Sequence, residues 1–88
     1  MKYVIDYYWM DYGAHMFSTP TYQTSEYVNC ENNEVLQSYI ESQKDAYGGS
    51  YEKSEDRFMG FDYISNQGGV KVREYEEIKI ETPNFKTI

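Results

Sequence analysis

Eighty-eight residues allow one domain with one modest core, so most of the large apolar side chains are committed to folding. The chain carries 15 acidic against 8 basic residues, a net charge of -7, which sets it against the phosphates of DNA and RNA and against anionic membranes. No apolar run reaches the roughly 18 to 20 residues that a membrane helix needs, and no basic segment followed by an apolar one marks a signal peptide. The mean hydropathy of -0.83 understates the folding potential, because 11 Tyr can bury their rings and keep their hydroxyls wet.

In chain order, residues 2–12 (KYVIDYYWMDY) read as a strand rich in aromatic and β-branched residues. The period of two puts Tyr3, Ile5, Tyr7 and Trp9 on a core face, and Val4, Asp6, Tyr8 and Met10 on a face towards water, where Asp6 belongs. Residues 13–23 form a loop marked by Gly13, Ser18 and Pro20. A short strand over Ser25–Cys30 returns to pair with the first. A helix runs from Asn33 to Tyr47, capped by Asn32 with Glu34 in its first turn. Its apolar face is Val35, Leu36, Tyr39, Ile40, Gln43 and Tyr47, and Gly48–Gly49 stops it.

Residues 51–56 (YEKSED) are polar and of undecided form. Residues 57–64 read as a strand, 65–69 (SNQGG) as a turn, and 70–81 as a final strand. Its face pattern breaks near Glu74–Glu77, where a bulge would reset it. Glu74, Glu76, Glu77 and Glu81 predict an edge position for that strand. Residues 83–88 read as a loosely held tail of the single domain 1–88. The order is ββαββ: an α+β domain, mainly antiparallel sheet with one amphipathic helix packed on a face.

Little in the chain points to catalysis. His15 and Cys30 are the only residues of their kinds, and neither has a local partner for nucleophilic chemistry or zinc ligation. Cys30 is alone, so no internal disulfide forms. The glycine pairs lack phosphate-loop spacing, and no calcium loop is present. The expectation is a binding protein without enzymatic activity, cofactor or metal, in the cytoplasm.

Acidity is concentrated. Between Glu26 and Asp62 stand nine acids and three bases, net -6. Glu34, Glu41, Asp45, Glu52, Glu55 and Asp56, with Tyr47 and Tyr51 between them, can imitate phosphates and bases to a protein built to hold nucleic acid. The two tyrosines would supply the buried anchors of such a contact. The run Glu26–Tyr27–Val28, then Glu31 and Glu34, an amphipathic helix, and Tyr51-Glu52-Lys53-Ser54-Glu55-Asp56-Arg57-Phe58 resembles, in its strand–helix–acidic-turn layout, the small acidic anti-CRISPR inhibitors of bacteriophages and mobile elements. The likeness covers Glu26 to Phe58, and the chain departs from that layout in its long aromatic first strand and its final hairpin. The resemblance implies a DNA-mimicking inhibitor that blocks a basic nucleic-acid-binding protein of the host, a CRISPR effector for example. Two other readings compete. One is a structural or assembly protein, a homodimer included, that uses the strand face of Tyr8 and Met10. The other is a nucleotide-sequestering protein in which Arg57, Lys71 and Arg73 converge.

Overall fold

The computed structural model describes residues 1–10, 19–55, 60–76 and 83–88. A mixed six-stranded sheet and one short helix make an α+β-like fold dominated by strands. The elements are β1 (Lys2–Trp9), β2 (Thr21–Asn29), α1 (Asn33–Glu41), β3 (Glu52–Lys53), β4 (Tyr63–Ile64), β5 (Gly68–Glu74) and β6 (Lys86–Thr87). Their order across the sheet is β3-β4-β5-β1-β2-β6. The β1–β2 hairpin forms as the sequence predicts, antiparallel from Lys2↔Asn29 to Trp9↔Thr21.

β1 is the central strand, and that changes the expected division of its faces. Tyr3 and Ile5 are buried under α1, in a cluster with Val28, Cys30, Leu36, Ile40, Tyr51, Tyr63 and Val70. Val4 and Met10, assigned to water from the alternation, are also buried, outside that cluster. Asp6 is only 8% exposed. A charge can sit there because Arg73 Nε donates to its Oδ2 at 2.9 Å and Ser25 Oγ donates to its Oδ1 at 2.5 Å. Burial alone would raise its pKa, but those bonds and the nearby charges of Arg73 and Lys71 outweigh it and hold the carboxyl below the usual range. On the same side of the sheet, Tyr27, Tyr75 and Phe85 pack edge to face with ring centroids 4.9 to 6.1 Å apart.

Four expectations need correcting. β5 lies between β4 and β1, not at an edge; Val70 and Val72 commit it to the interior, and its acids gather at the exposed end near Glu74 and Glu76. Gly68 and Gly69 are strand residues rather than turn residues. A Cβ on Gly69 would stand 2.5 Å from the fully buried ring of Phe61, so the glycine is there for close packing. The helix ends at Glu41, where the amides of Ser42 and Gln43 tighten onto carbonyls three residues back, those of Tyr39 and Ile40. Residues 83–88 include β6, which pairs in parallel with β2, and Ile88, which packs on the core cluster. The strand read over 57–64 and the final strand over 70–81 fall partly outside the described residues, as does the region of the expected bulge. A bulge is present instead in β2 opposite Tyr7 and Tyr8.

Candidate protein-binding groove

The local sequence of α1 explains how it sits. Asn32 is in extended conformation, and its Oδ1 accepts from the amide of Val35 at 2.9 Å, closing the first turn. Leu36 and Ile40, four residues apart, point into the core. Tyr3 donates its hydroxyl hydrogen to Asn33 Oδ1 at 2.7 Å, and Tyr39 donates to Glu26 Oε2 at 2.5 Å. Tyr7 donates to the other oxygen of Glu26 at 3.1 Å. The helix is thus pinned to β1 and β2. Burial, then the Glu26 carboxylate, push both Tyr7 and Tyr39 well above the ordinary tyrosine range.

Pinned this way, the helix leaves an open groove between itself and β3–β4. The groove has a volume of about 420 Å³. Leu36, Tyr63 and Val72 are its apolar members, and the first two are 5% and 8% exposed. Gln37 lines the helix side, and Lys53, Glu55 and Asp62 line the sheet side. Glu41 extends the acidic rim: it accepts from Gln37 Nε2 at 3.2 Å. Burial raises the Tyr63 pKa, and the charges of Glu41 and Asp62 raise it further. Among the described residues, the carboxylates of Glu41, Glu55 and Asp62 outnumber the one lining cation, Lys53. Asp62 Oδ2 also accepts from the amide of Val72 at 2.7 Å, which holds one wall to β5.

The acids and tyrosines singled out from the sequence divide. Glu55 lines the groove and Glu41 borders it. Glu34 is exposed in the first turn of α1. Glu52, one strand position from Lys53, opens instead on a neighbouring depression with Ile64 and Asn66. Asp45 is not on the helix. Its oxygens accept from the amides of Tyr47, Gly49 and Gln67 at 2.8, 3.0 and 3.2 Å. Burial would raise its pKa, and the neighbouring Ser65 side chain together with those amides outweighs it and lowers the value. It organises a turn. Tyr47 is 57% exposed, whereas Tyr51 is 6% exposed and packed edge to face on Tyr7 at 6.0 Å, so Tyr51 belongs to the core and not to a contact surface. Asp56 lies outside the described residues, as do His15 and Arg57.

No family model, no curated protein and no solved structure matches this chain.

In the sequence Asp62 is one acid among the nine from Glu26 to Asp62, and nothing local marks it, Tyr63 or Gln37 as part of a site. Gln37 was legible only as the residue one turn before Glu41, on the polar side of the helix. Asp62 and Tyr63 had no local signal, because it is the pairing of β4 with β5 that brings them under α1. The competing surfaces are less open than the sequence implied. Met10 is 4% exposed and Tyr8 is half-buried against Phe61 and Tyr22. Lys71 and Arg73 do share a strand face, but Arg73 is bonded to Asp6, and Lys71 lies 5.1 Å from the centre of the Tyr8 ring. Among the described residues, no three His, Cys, Asp or Glu side chains converge with metal-binding geometry, and no helix is long and apolar enough to cross a membrane.

Proposed function

We propose that this chain is a protein-binding inhibitor of the phage-encoded kind, which blocks a basic nucleic-acid-handling protein by presenting carboxylates where that protein expects phosphates. It would act stoichiometrically in the host cytoplasm. The observation that carries the reading is the groove between α1 and β3–β4: an apolar floor of Leu36, Tyr63 and Val72 edged by Glu41, Glu55 and Asp62, with Lys53 as the lining cation among the described residues. A shallow apolar strip with a like-charged rim is the form a contact for a basic segment takes, because the strip supplies desolvated area and the rim supplies steering. Exposed Glu34 and Glu52 widen the negative field around it. Among the described residues, neither makes an ion pair, so both charges are available to a partner.

The test is competition. Proteins retained from a bacterial lysate on the immobilised chain are identified, and the purified partner is titrated with the chain in the presence of labelled duplex. The partner should release its duplex at one equivalent. Replacing Glu41 and Glu55 together by Lys should weaken partner binding about tenfold or more, as reversal of charges at a contact does. Reversing Glu31 and Glu76, exposed acids that do not line the groove, should change it little. Retention of a partner that keeps its duplex, or a Glu41/Glu55 variant that binds as the parent does, sinks this reading.

A further inference from the structure

A second concavity lies beyond the C-terminal end of α1. Its volume is about 200 Å³. Five of its lining residues are aromatic: Tyr7, Tyr8 and Trp9 of β1, with Tyr47 and Tyr51 of the segment after the helix. The period of two puts Trp9 on the face of Tyr7. The chain after Glu41 turns back through Gly48, whose φ of 85° falls where glycine is at ease. The Asp45 carboxylate, bonded to the amides of Tyr47 and Gly49, fixes that turn and so sets the position of Tyr47. Tyr7 and Tyr51 are packed together and inward. Trp9 and Tyr47 are left 36% and 57% exposed.

We propose that this pocket receives an arginine side chain of a basic protein partner, the guanidinium lying against the Trp9 and Tyr47 rings in the field of Asp45. The proposal deepens the inhibitor reading and rests on it in one respect, that the partner is basic. Size comes first. Small-molecule sites occupy roughly 300 to 1,000 Å³, so a cavity of about 200 Å³ suits one side chain better than a nucleotide. The walls come second. Aromatic faces attract cations through their quadrupole, and tryptophan does so best. Charge is the third argument. The Asp45 side chain lies in the pocket wall with its oxygens accepting from three backbone amides, and the whole chain is at -7. Arginine is favoured over lysine because its planar, weakly hydrated head stacks on rings and leaves water more easily. Lys44 also lines the pocket, but it is exposed, so its ammonium can stay in water while its stem packs.

Trp9 is the chain's one tryptophan, so its indole resonance and its fluorescence report on this pocket alone. The full chain is titrated with N-acetyl-arginine methylamide, with the lysine and leucine analogues, and with AMP. The arginine probe should shift the Trp9 indole resonance in a saturable way and bind more tightly than the other three. Tyr47→Ala, at an exposed position that leaves the core intact, should weaken that binding about fivefold. Lys44→Gln should strengthen it by removing the competing cation. A leucine probe that binds as well as arginine would make the pocket an apolar socket and overturn the proposal. So would AMP binding that Lys44→Gln weakens, or an indole resonance that no probe moves. The groove is read separately: loss of partner binding in the Glu41/Glu55 variant, together with an unmoved Trp9, would leave the inhibitor reading standing and remove this one.

Discussion

Asp6 shows how a single side chain can sit against its local pattern. A carboxylate in the middle of Tyr-Val-Ile-Asp-Tyr reads as a mark of solvent, yet it is 8% exposed and supports the sheet from within. Its bond to Arg73 joins β1 to β5, and its bond to Ser25 joins β1 to β2. Tyr22 continues the chain of contacts, its hydroxyl 2.7 Å from Ser25 Oγ. Because the folded-state pKa of Asp6 is lowered, its contribution is fully present above the unfolded value of about 3.9. It is lost as pH falls below that value and through the folded one. Asp6→Asn should therefore cost about 1.5 to 3 kcal/mol near neutral pH, the range for hydrogen bonds to a charged group, and progressively less in acid. Urea unfolding of parent and variant across that range measures it. Equal losses at neutral and acid pH would show that the charge is irrelevant and only the shape matters.

At the scale of elements, α1 is held by two core side chains and a ring of hydrogen bonds rather than by its own propensity. Nine residues are too few for an isolated helix in water. The contacts of Leu36 and Ile40 with the sheet, the Asn32 cap, and the bonds of Tyr3 and Tyr39 supply what the short helix lacks. Leu36→Ala should cost about 2 to 5 kcal/mol, as truncation of a packed core leucine does, and should also open the floor of the groove. Ser38→Ala, on the exposed side of the same helix, should stay within about half a kcal/mol. Thermal and denaturant melts of the two variants decide this, and a Leu36→Ala loss below that smaller figure would place the helix on a different face. β6 carries a related lesson. Two strand residues, the amide of Ile88 on the carbonyl of Asn29, and Lys86 over the Tyr39 ring tie the last residues to β2 and to the helix.

Across the whole molecule, charge decides which partners are admissible. Among the described residues, acids gather on α1, on β3 and its turn, and at the end of β5. The cations Lys71 and Arg73 are engaged on the opposite face, with aromatic rings and with Asp6. A nucleic acid would need a continuous basic stripe to release its counterions. The chain should therefore leave free duplex unretarded in a gel at about 0.15 M salt, where charges beyond roughly 8 Å are screened. A tight complex with bare duplex under those conditions would overturn the charge argument and with it the inhibitor reading. For a protein partner, added salt should slow association if Glu41 and Glu55 act at the rim.

Features that depend on neighbours in sequence were legible in the sequence alone. The N-cap at Asn32, the burial of Leu36 and Ile40, the β1–β2 hairpin and the α+β class all follow from spacings of two, three and four along the chain. Those signals are local because side-chain direction repeats with the backbone. Only the tertiary structure decided which strands lie side by side, and several assignments turned on that. β5 carries a run of acids that looks like an edge, but pairing with β1 and β4 makes it internal. β1 looks half-exposed, but its central place buries Val4 and Asp6. Tyr51 looks like a surface anchor among acids, but the ring of Tyr7 across the fold draws it inward. Of the candidate sites, the acids of the helix and the turn were visible beforehand. The groove itself was not, because its walls come from residues 33–37, 53–55, 62–63 and 72. Hydrophobic burial has no direction along the chain: a residue is covered by whatever the fold brings over it, and no sequence window contains that partner.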